Sequence, residues 1–125
     1  LEGDTGPYIQ YAYARSLRIL EKAGKNPNFE ANLEQMVTVY EKDLVKVIAS
    51  FDLQVEDAAK NLSPKVIAKY CYQLAVSFNT FYEHVKVLTA ESESLIDARL
   101  CLVYSFKETL GKALQLLGID APERM

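Results

Sequence analysis

The chain has 125 residues, of which half are hydrophobic and a quarter are charged, and its net charge is −3. This composition is typical of one globular domain that is long enough to bury a core, and it excludes disordered and collagen-like chains. It also excludes a strongly basic protein that coats nucleic acid, although it permits a local basic patch. No run of residues approaches the ~18 apolar residues that a membrane span requires.

Helical periodicity runs through the whole chain, and no strand-like alternation of useful length is present. Pro7 suits the first turn of a helix, the pair Ser63-Pro64 suits the start of another, and Gly24 and Gly118 suit helix ends. The predicted helices are residues 7–23, about 30–51, a short one within 52–62, about 64–89, and about 95–117. The sequence therefore predicts an all-α fold, a helical bundle of four long helices plus one short helix.

No catalytic or metal-binding constellation is recognisable. There is no glycine-rich phosphate loop, and the one histidine, His84, has Phe81 three residues before it instead of the Glu of a di-iron helix. We expect His84 to be a half-exposed helix residue. The cysteines, Cys71 and Cys101, fit neither a disulfide framework nor a CxxC pair, and we expect reduced thiols in the core.

The first predicted helix carries a row of aromatic and basic side chains. One face of this helix should pack on the bundle, and it holds Ile9, Ala12, Tyr13, Ser16, Leu17 and Leu20. Roughly opposite, at spacings of three and four, lie Tyr8, Tyr11, Arg15, Arg18 and Lys22. Aromatic rings stack on unpaired bases while Arg and Lys pair with phosphates, so the row suits a single-stranded RNA loop. The alternative is a solvated basic face whose tyrosines lie against a neighbouring domain.

Tyr82 and the two ends of the chain are further features of interest. Tyr82 follows a predicted core residue, Phe81, and is a second candidate for an exposed aromatic side chain. The chain ends on an apolar residue, Met125, either as a disordered tail or as a tail that packs back onto the bundle. The chain opens without Met on LEGDTGP, and we expect it to be a piece of a longer protein.

Four segments together resemble those of one known family. They are residues 1–15 (LEGDTGPYIQYAYAR), residues 77–83 (SFNTFYE), residues 97–100 (DARL) and the ending LGIDAPERM. The family that they resemble is the arginyl-tRNA synthetases. The first segment resembles the junction between the catalytic core and the C-terminal domain, and the second resembles the Phe-Tyr helix of the family. The third is similar to the Asp-Ala-Leu-Arg signature of the helical anticodon-binding domain, and the fourth resembles the C-terminus, final Met included.

The resemblance implies a loop over residues 1–6, at the junction with a catalytic core outside this chain, and a helical anticodon-binding domain over residues 7–125. It implies that the parent protein is an arginine–tRNA ligase that uses ATP with magnesium, whereas this fragment uses no cofactor and carries no catalytic residue or metal. The implied partners are the anticodon arm of tRNA(Arg) and the parent's own catalytic domain, with no DNA and no membrane. A monomer in the cytoplasm, or in an organelle, is expected.

The resemblance carries over to particular residues of the chain. Tyr8, Tyr11 and Tyr82 match aromatic positions near the anticodon loop, and Met125 matches a terminal Met near the same site. Arg15 is expected either at that surface or paired with a carboxylate across the domain junction. Arg18 and Lys22 are candidates for phosphate contacts on charge alone.

Two alternatives stay open at the level of the sequence. The first is the related anticodon-binding domain of another class I synthetase, such as a cysteinyl enzyme. The second is a helical module that binds another protein, in which case the face bearing Tyr8 and Tyr11 would lie under that partner.

Overall fold

The computed structural model describes residues 5–119, which form five α-helices and no strand. The helices are α1 (Thr5–Ala23), α2 (Val39–Ala49), α3 (Phe51–Asn61), α4 (Pro64–His84) and α5 (Glu93–Leu116), with one 3₁₀ turn at Leu33–Gln35. The predicted all-α helical bundle is confirmed. The first helix includes Thr5 and Gly6, which the sequence assigned to a loop, so Pro7 lies inside its first turn.

The second helix begins nine residues later than the hydrophobic stripe predicted. Its start is a capping box, in which the Thr38 side chain accepts from the backbone N–H of Glu41 and the Glu41 side chain accepts from the backbone N–H of Thr38. Before it, Asn32 caps the short 3₁₀ turn and Met36 reaches the core without a regular helix. The helical spacing of apolar residues therefore extends through a segment in which local side-chain hydrogen bonds interrupt the helix itself.

The helix ends follow the predicted glycines. Gly24 and Gly118 adopt φ values of 67° and 74°, which side chains with a Cβ disfavour. At the end of α5, the backbone N–H groups of Gly118 and Ile119 donate to the carbonyls of Gln115 and Leu114, respectively, which is a Schellman motif. These bonds satisfy carbonyls that the end of the helix would otherwise leave without partners.

Helix α4 is the centre of the bundle, because every other α-helix packs against it. It runs parallel to α1, since Tyr8 meets Tyr72 and Arg15 meets Asn79 at the same sequence offset. Helix α5 runs antiparallel to α4, and the rings of Phe78 and Phe106 stack between them with centroids 4.0 Å apart. Both rings are fully buried.

The buried face of α1 is rotated from the face that the sequence predicted. Ile9, Ala12 and Ser16 are fully buried, as predicted. Ile19, outside the predicted face, is also buried, whereas Leu17 and Leu20 are only half-buried. Because α1 contacts both α4 and α5, the aromatic and basic row lies beside the core face and not opposite to it. The row therefore borders the groove between α1 and α4.

A buried ion pair ties three segments together. The Arg99 Nε atom lies 2.9 Å from Glu41 Oε2, and the Glu41 side chain is fully buried. Arg99 Nη1 also donates to the carbonyl of Lys86 at 2.7 Å. Burial raises the pKa of Glu41, but the hydrogen bonds from Arg99 and Thr38 and the positive charge of Arg99 outweigh it, so the pKa is lowered overall.

The cysteines and His84 are structural in their surroundings. Both thiols are free and buried, as predicted, and burial raises the pKa of Cys71 to about 12. The Cys101 thiol donates to the carbonyl of Asn28 at 2.9 Å. His84 is exposed, and its ring stacks on Tyr40 with centroids 4.2 Å apart.

The Phe78–Phe106 stack predicts a large effect of truncation. We expect Phe106→Ala to lower the free energy of unfolding by about 3–5 kcal/mol, because it leaves a cavity in a fully buried site. Urea unfolding followed by circular dichroism measures the change. Leu53→Ala is the matched control at an exposed position and should change stability by less than about 0.5 kcal/mol. Similar values for the two variants would contradict the packing described.

The lowered pKa of Glu41 predicts a pH-dependent contribution to stability. The carboxylate stabilises the fold at pH values above its ordinary value of 4.5, and the contribution is lost as the pH falls through the lower pKa of the folded state. We therefore expect Glu41→Gln to be less stable than the unsubstituted chain at pH 7. The difference in the free energy of unfolding should shrink in acid. Urea unfolding from neutral pH downward tests this. A difference that stays constant with pH would show that the ionised carboxylate is not what stabilises the fold.

Candidate nucleic-acid interface

A cleft of about 550 Å³ opens between the C-terminal half of α1, the end of α4 and the segment that follows α4. It is lined by Arg15, Arg18, Ile19, Lys22, Tyr82, Glu83, Val85, Lys86, Val87, Leu88 and Thr89. Four predicted site residues thus share one concave surface, namely the three basic residues of the α1 row and Tyr82. This surface is called the basic cleft below.

Arg15 lines the basic cleft and bridges α1 and α4. Its guanidinium carbon is 4.6 Å from the ring centroid of Tyr11 and 4.1 Å from that of Tyr82. Its Nη1 donates to Asn79 Oδ1 at 2.9 Å. Within residues 5–119 Arg15 forms no ion pair, so its positive charge is held in place by uncharged groups.

The charge of the basic cleft is positive although the chain is acidic overall. Four cations, three on α1 together with Lys86, line it with one carboxylate, Glu83. Arg18 and Lys22 are exposed, and the Arg18 guanidinium also approaches the Tyr11 ring, at 5.8 Å. The cleft can therefore attract an anion although the chain as a whole carries a net negative charge.

Aromatic side chains extend the same surface along the α1–α4 groove. Tyr11 and Tyr82 are 44% and 43% exposed, so part of each ring is open to solvent. Tyr8 lies outside the basic cleft, where its ring contacts that of Tyr72 with centroids 5.6 Å apart. The predicted aromatic positions therefore form two neighbouring groups and not one continuous row.

The sequence missed Asn79, Lys86 and the whole wall formed by residues 85–89. The predicted fourth helix ran on to about Thr89, whereas α4 ends at His84. The β-branched residues Val85, Val87 and Thr89 follow closely upon one another, and this low helix propensity is the signal that marks the change. Met125 and residues 1–4 lie outside the described residues.

Residues 5–119 offer neither a metal site nor a membrane-spanning helix. No group of three or more His, Cys, Asp or Glu side chains there could hold a metal ion. None of the helices in that range is both long and apolar enough to cross a membrane.

Comparison with known proteins gives consistent matches. The sequence model of the family described as "DALR anticodon binding domain" matches residues 9–125. The chain is 43% identical to the arginine–tRNA ligase of Lactococcus lactis subsp. cremoris strain MG1363, over 99% of this chain and 22% of that protein. It is 44% identical to the corresponding enzyme of Streptococcus suis strain 05ZYH33, again over 99% and 22%.

A solved structure agrees with these relatives. The arginyl-tRNA synthetase of Thermus thermophilus matches with a TM-score of 0.87 and 43% identity, over 99% of this chain and 22% of that one. The chain thus spans about a fifth of the length of the curated relatives that it matches.

Proposed function

The chain belongs to the DALR anticodon binding domain family, and we propose that it binds the anticodon arm of an arginine tRNA. The proposal is supported most directly by the Arg15 guanidinium, which lines the basic cleft and lies over the rings of Tyr11 and Tyr82. Bases that are unstacked in an anticodon loop would find aromatic rings there, and the loop phosphates would find cations.

The side chains of the basic cleft, and Tyr11 next to it, have separate parts in this proposal. Tyr11 and Tyr82 stack on bases through their exposed ring surface, since stacking on an aromatic side chain tolerates any base. Arg18, Lys22 and Lys86 contact phosphates, which fixes the position of the loop without reading its sequence. Tyr8 lies further along the groove and contacts the adjoining nucleotides.

The proposal extends to the longer protein. By analogy with its relatives, we propose that the parent attaches arginine to its tRNA with ATP and magnesium, in a catalytic domain outside this chain. This domain would hold the tRNA so that its acceptor end reaches that centre. The parent would work as a monomer in the cytoplasm, and the domain's partners would be the tRNA and its own catalytic domain.

The names of the relatives favour arginine over the other amino acids. The relatives named above are arginine–tRNA ligases, and each aligns with 99% of this chain. These names favour an arginine enzyme over the first alternative, a cysteinyl-type domain. A protein-binding module, the second alternative, remains an outcome of the RNA-binding test.

The aromatic groups predict losses of RNA affinity. We expect Tyr11→Ala and Tyr82→Ala each to weaken binding of an arginine tRNA anticodon stem–loop by about 1–3 kcal/mol, because each removes a stacking surface. Filter binding at low salt measures the affinity. Tyr104→Ala is the matched control, since Tyr104 also lies near a cation, Lys107 at 4.9 Å, but outside the basic cleft.

The same titration with exchanged anticodon bases separates the outcomes. Weaker binding to the exchanged RNA would support anticodon reading, and equal binding would indicate that only the phosphates are gripped. Absence of binding by the folded chain to either RNA would overturn the proposal and favour a protein partner.

The cations predict a change in salt dependence. We expect Lys22→Ala and Lys86→Ala each to reduce the slope of log affinity against log salt by about 0.7, the value for one phosphate contact on a single strand. Lys60→Ala, on the exposed side of α3, is the control and should leave the slope unchanged. Equal slopes for all three variants would remove the phosphate contacts from the proposal.

A further inference from the structure

The DARL signature contains an arginine that the basic cleft does not use. Arg99 lies on α5, is almost fully buried, and is absent from the lining of the cleft. Its three contacts are nonetheless specific. Nε and Nη2 donate to the two carboxylate oxygens of Glu41 at 2.9 and 3.4 Å, and Nη1 donates to the Lys86 carbonyl at 2.7 Å.

The Lys86 carbonyl belongs to one wall of the basic cleft. On either side of Lys86, Val85 and Val87 are buried at 7% exposure each, so the backbone is held close to the core. The Lys86 residue itself is exposed and lines the cleft. The carbonyl therefore accepts from Arg99 on the inner side while the residue contributes to the wall on the outer side.

Glu41 fixes the other end of this connection. Its Oε1 accepts from the Thr38 hydroxyl at 2.8 Å and from the Thr38 backbone N–H at 3.2 Å, as part of the capping box of α2. The Arg99 guanidinium is thus held in one orientation by a carboxylate that is itself immobilised. A guanidinium is suited to this, because its planar fork directs several N–H donors in fixed directions.

We infer that Arg99, oriented by Glu41, is a positioning residue for the RNA-binding wall of residues 85–89. This inference rests on the proposed function. Under it, Arg99 affects the affinity for RNA through the position of the wall, without contacting the RNA itself. Arg99 holds the Lys86 carbonyl and thereby sets where the Lys86 ammonium lies relative to Tyr82.

The test uses Arg99→Lys, which keeps the positive charge beside Glu41 but cannot reproduce the fork that reaches both Glu41 and the Lys86 carbonyl. We expect it to weaken binding of the arginine anticodon stem–loop by about fivefold to tenfold while the helical circular dichroism is unchanged. We expect the same direction for Glu41→Gln. Glu93→Gln is the control, because it removes a contact of Lys25 in another ion-pair cluster of α5.

A double-mutant cycle separates positioning from general stability. If Arg99 positions Lys86, the affinity lost through Lys86→Ala shrinks by at least about twofold in the Arg99→Lys background, while the loss through Lys22→Ala stays the same. If Arg99 only stabilises the bundle, both losses are unchanged. Unchanged losses would overturn the inference.

A second measurement does not depend on RNA. In Arg99→Lys, amide hydrogen exchange should accelerate at Val85, the first residue of this wall, whose N–H donates to the Phe81 carbonyl at 2.9 Å. The amides of α1 should keep their protection. Unchanged exchange at this wall would also overturn the inference. Absence of RNA binding by the unsubstituted chain would instead count against the proposed function. The exchange data would still decide whether Arg99 holds the wall.

Discussion

The bundle is organised around a buried ion pair, formed by Arg99 and Glu41. Taking Arg99 and Glu41 out of solvent costs several kcal/mol per ion, and only well-formed partners offset that cost. The groups come from three segments, with Arg99 on α5, Glu41 and Thr38 at the start of α2, and Lys86 after α4. The pair can therefore form only when these segments meet in one arrangement, and for this fold we regard it as a source of specificity.

The parallel course of α1 and α4 is what makes one surface out of two helices. Parallel neighbours bring residues of equal offset together along their whole length, as Tyr8 with Tyr72 and Arg15 with Asn79 show. Cations of one helix then lie beside aromatic rings of the other. The result is a positive region on a chain with a net charge of −3, so attraction of a polyanion is local and depends on orientation.

The features that the sequence predicted correctly are those that depend on residues close to one another in the chain. Helix ends at Gly24 and Gly118 follow from local conformational preferences, and they were predicted correctly. The start of α2 was not, because the capping box outweighed a continuous apolar stripe. The pairing of Arg99 with Glu41 spans 58 positions, and no local pattern reports such a contact.

The contacts of Arg15 have a consequence for the entropy of recognition. An arginine side chain that is free in solution gives up roughly 2 kcal/mol of rotamer freedom when a ligand fixes it. Here two tyrosine rings and an amide oxygen already hold the guanidinium in the unliganded chain. Much of that ordering therefore accompanies folding and not association, and the surface meets its ligand with its central cation already in place.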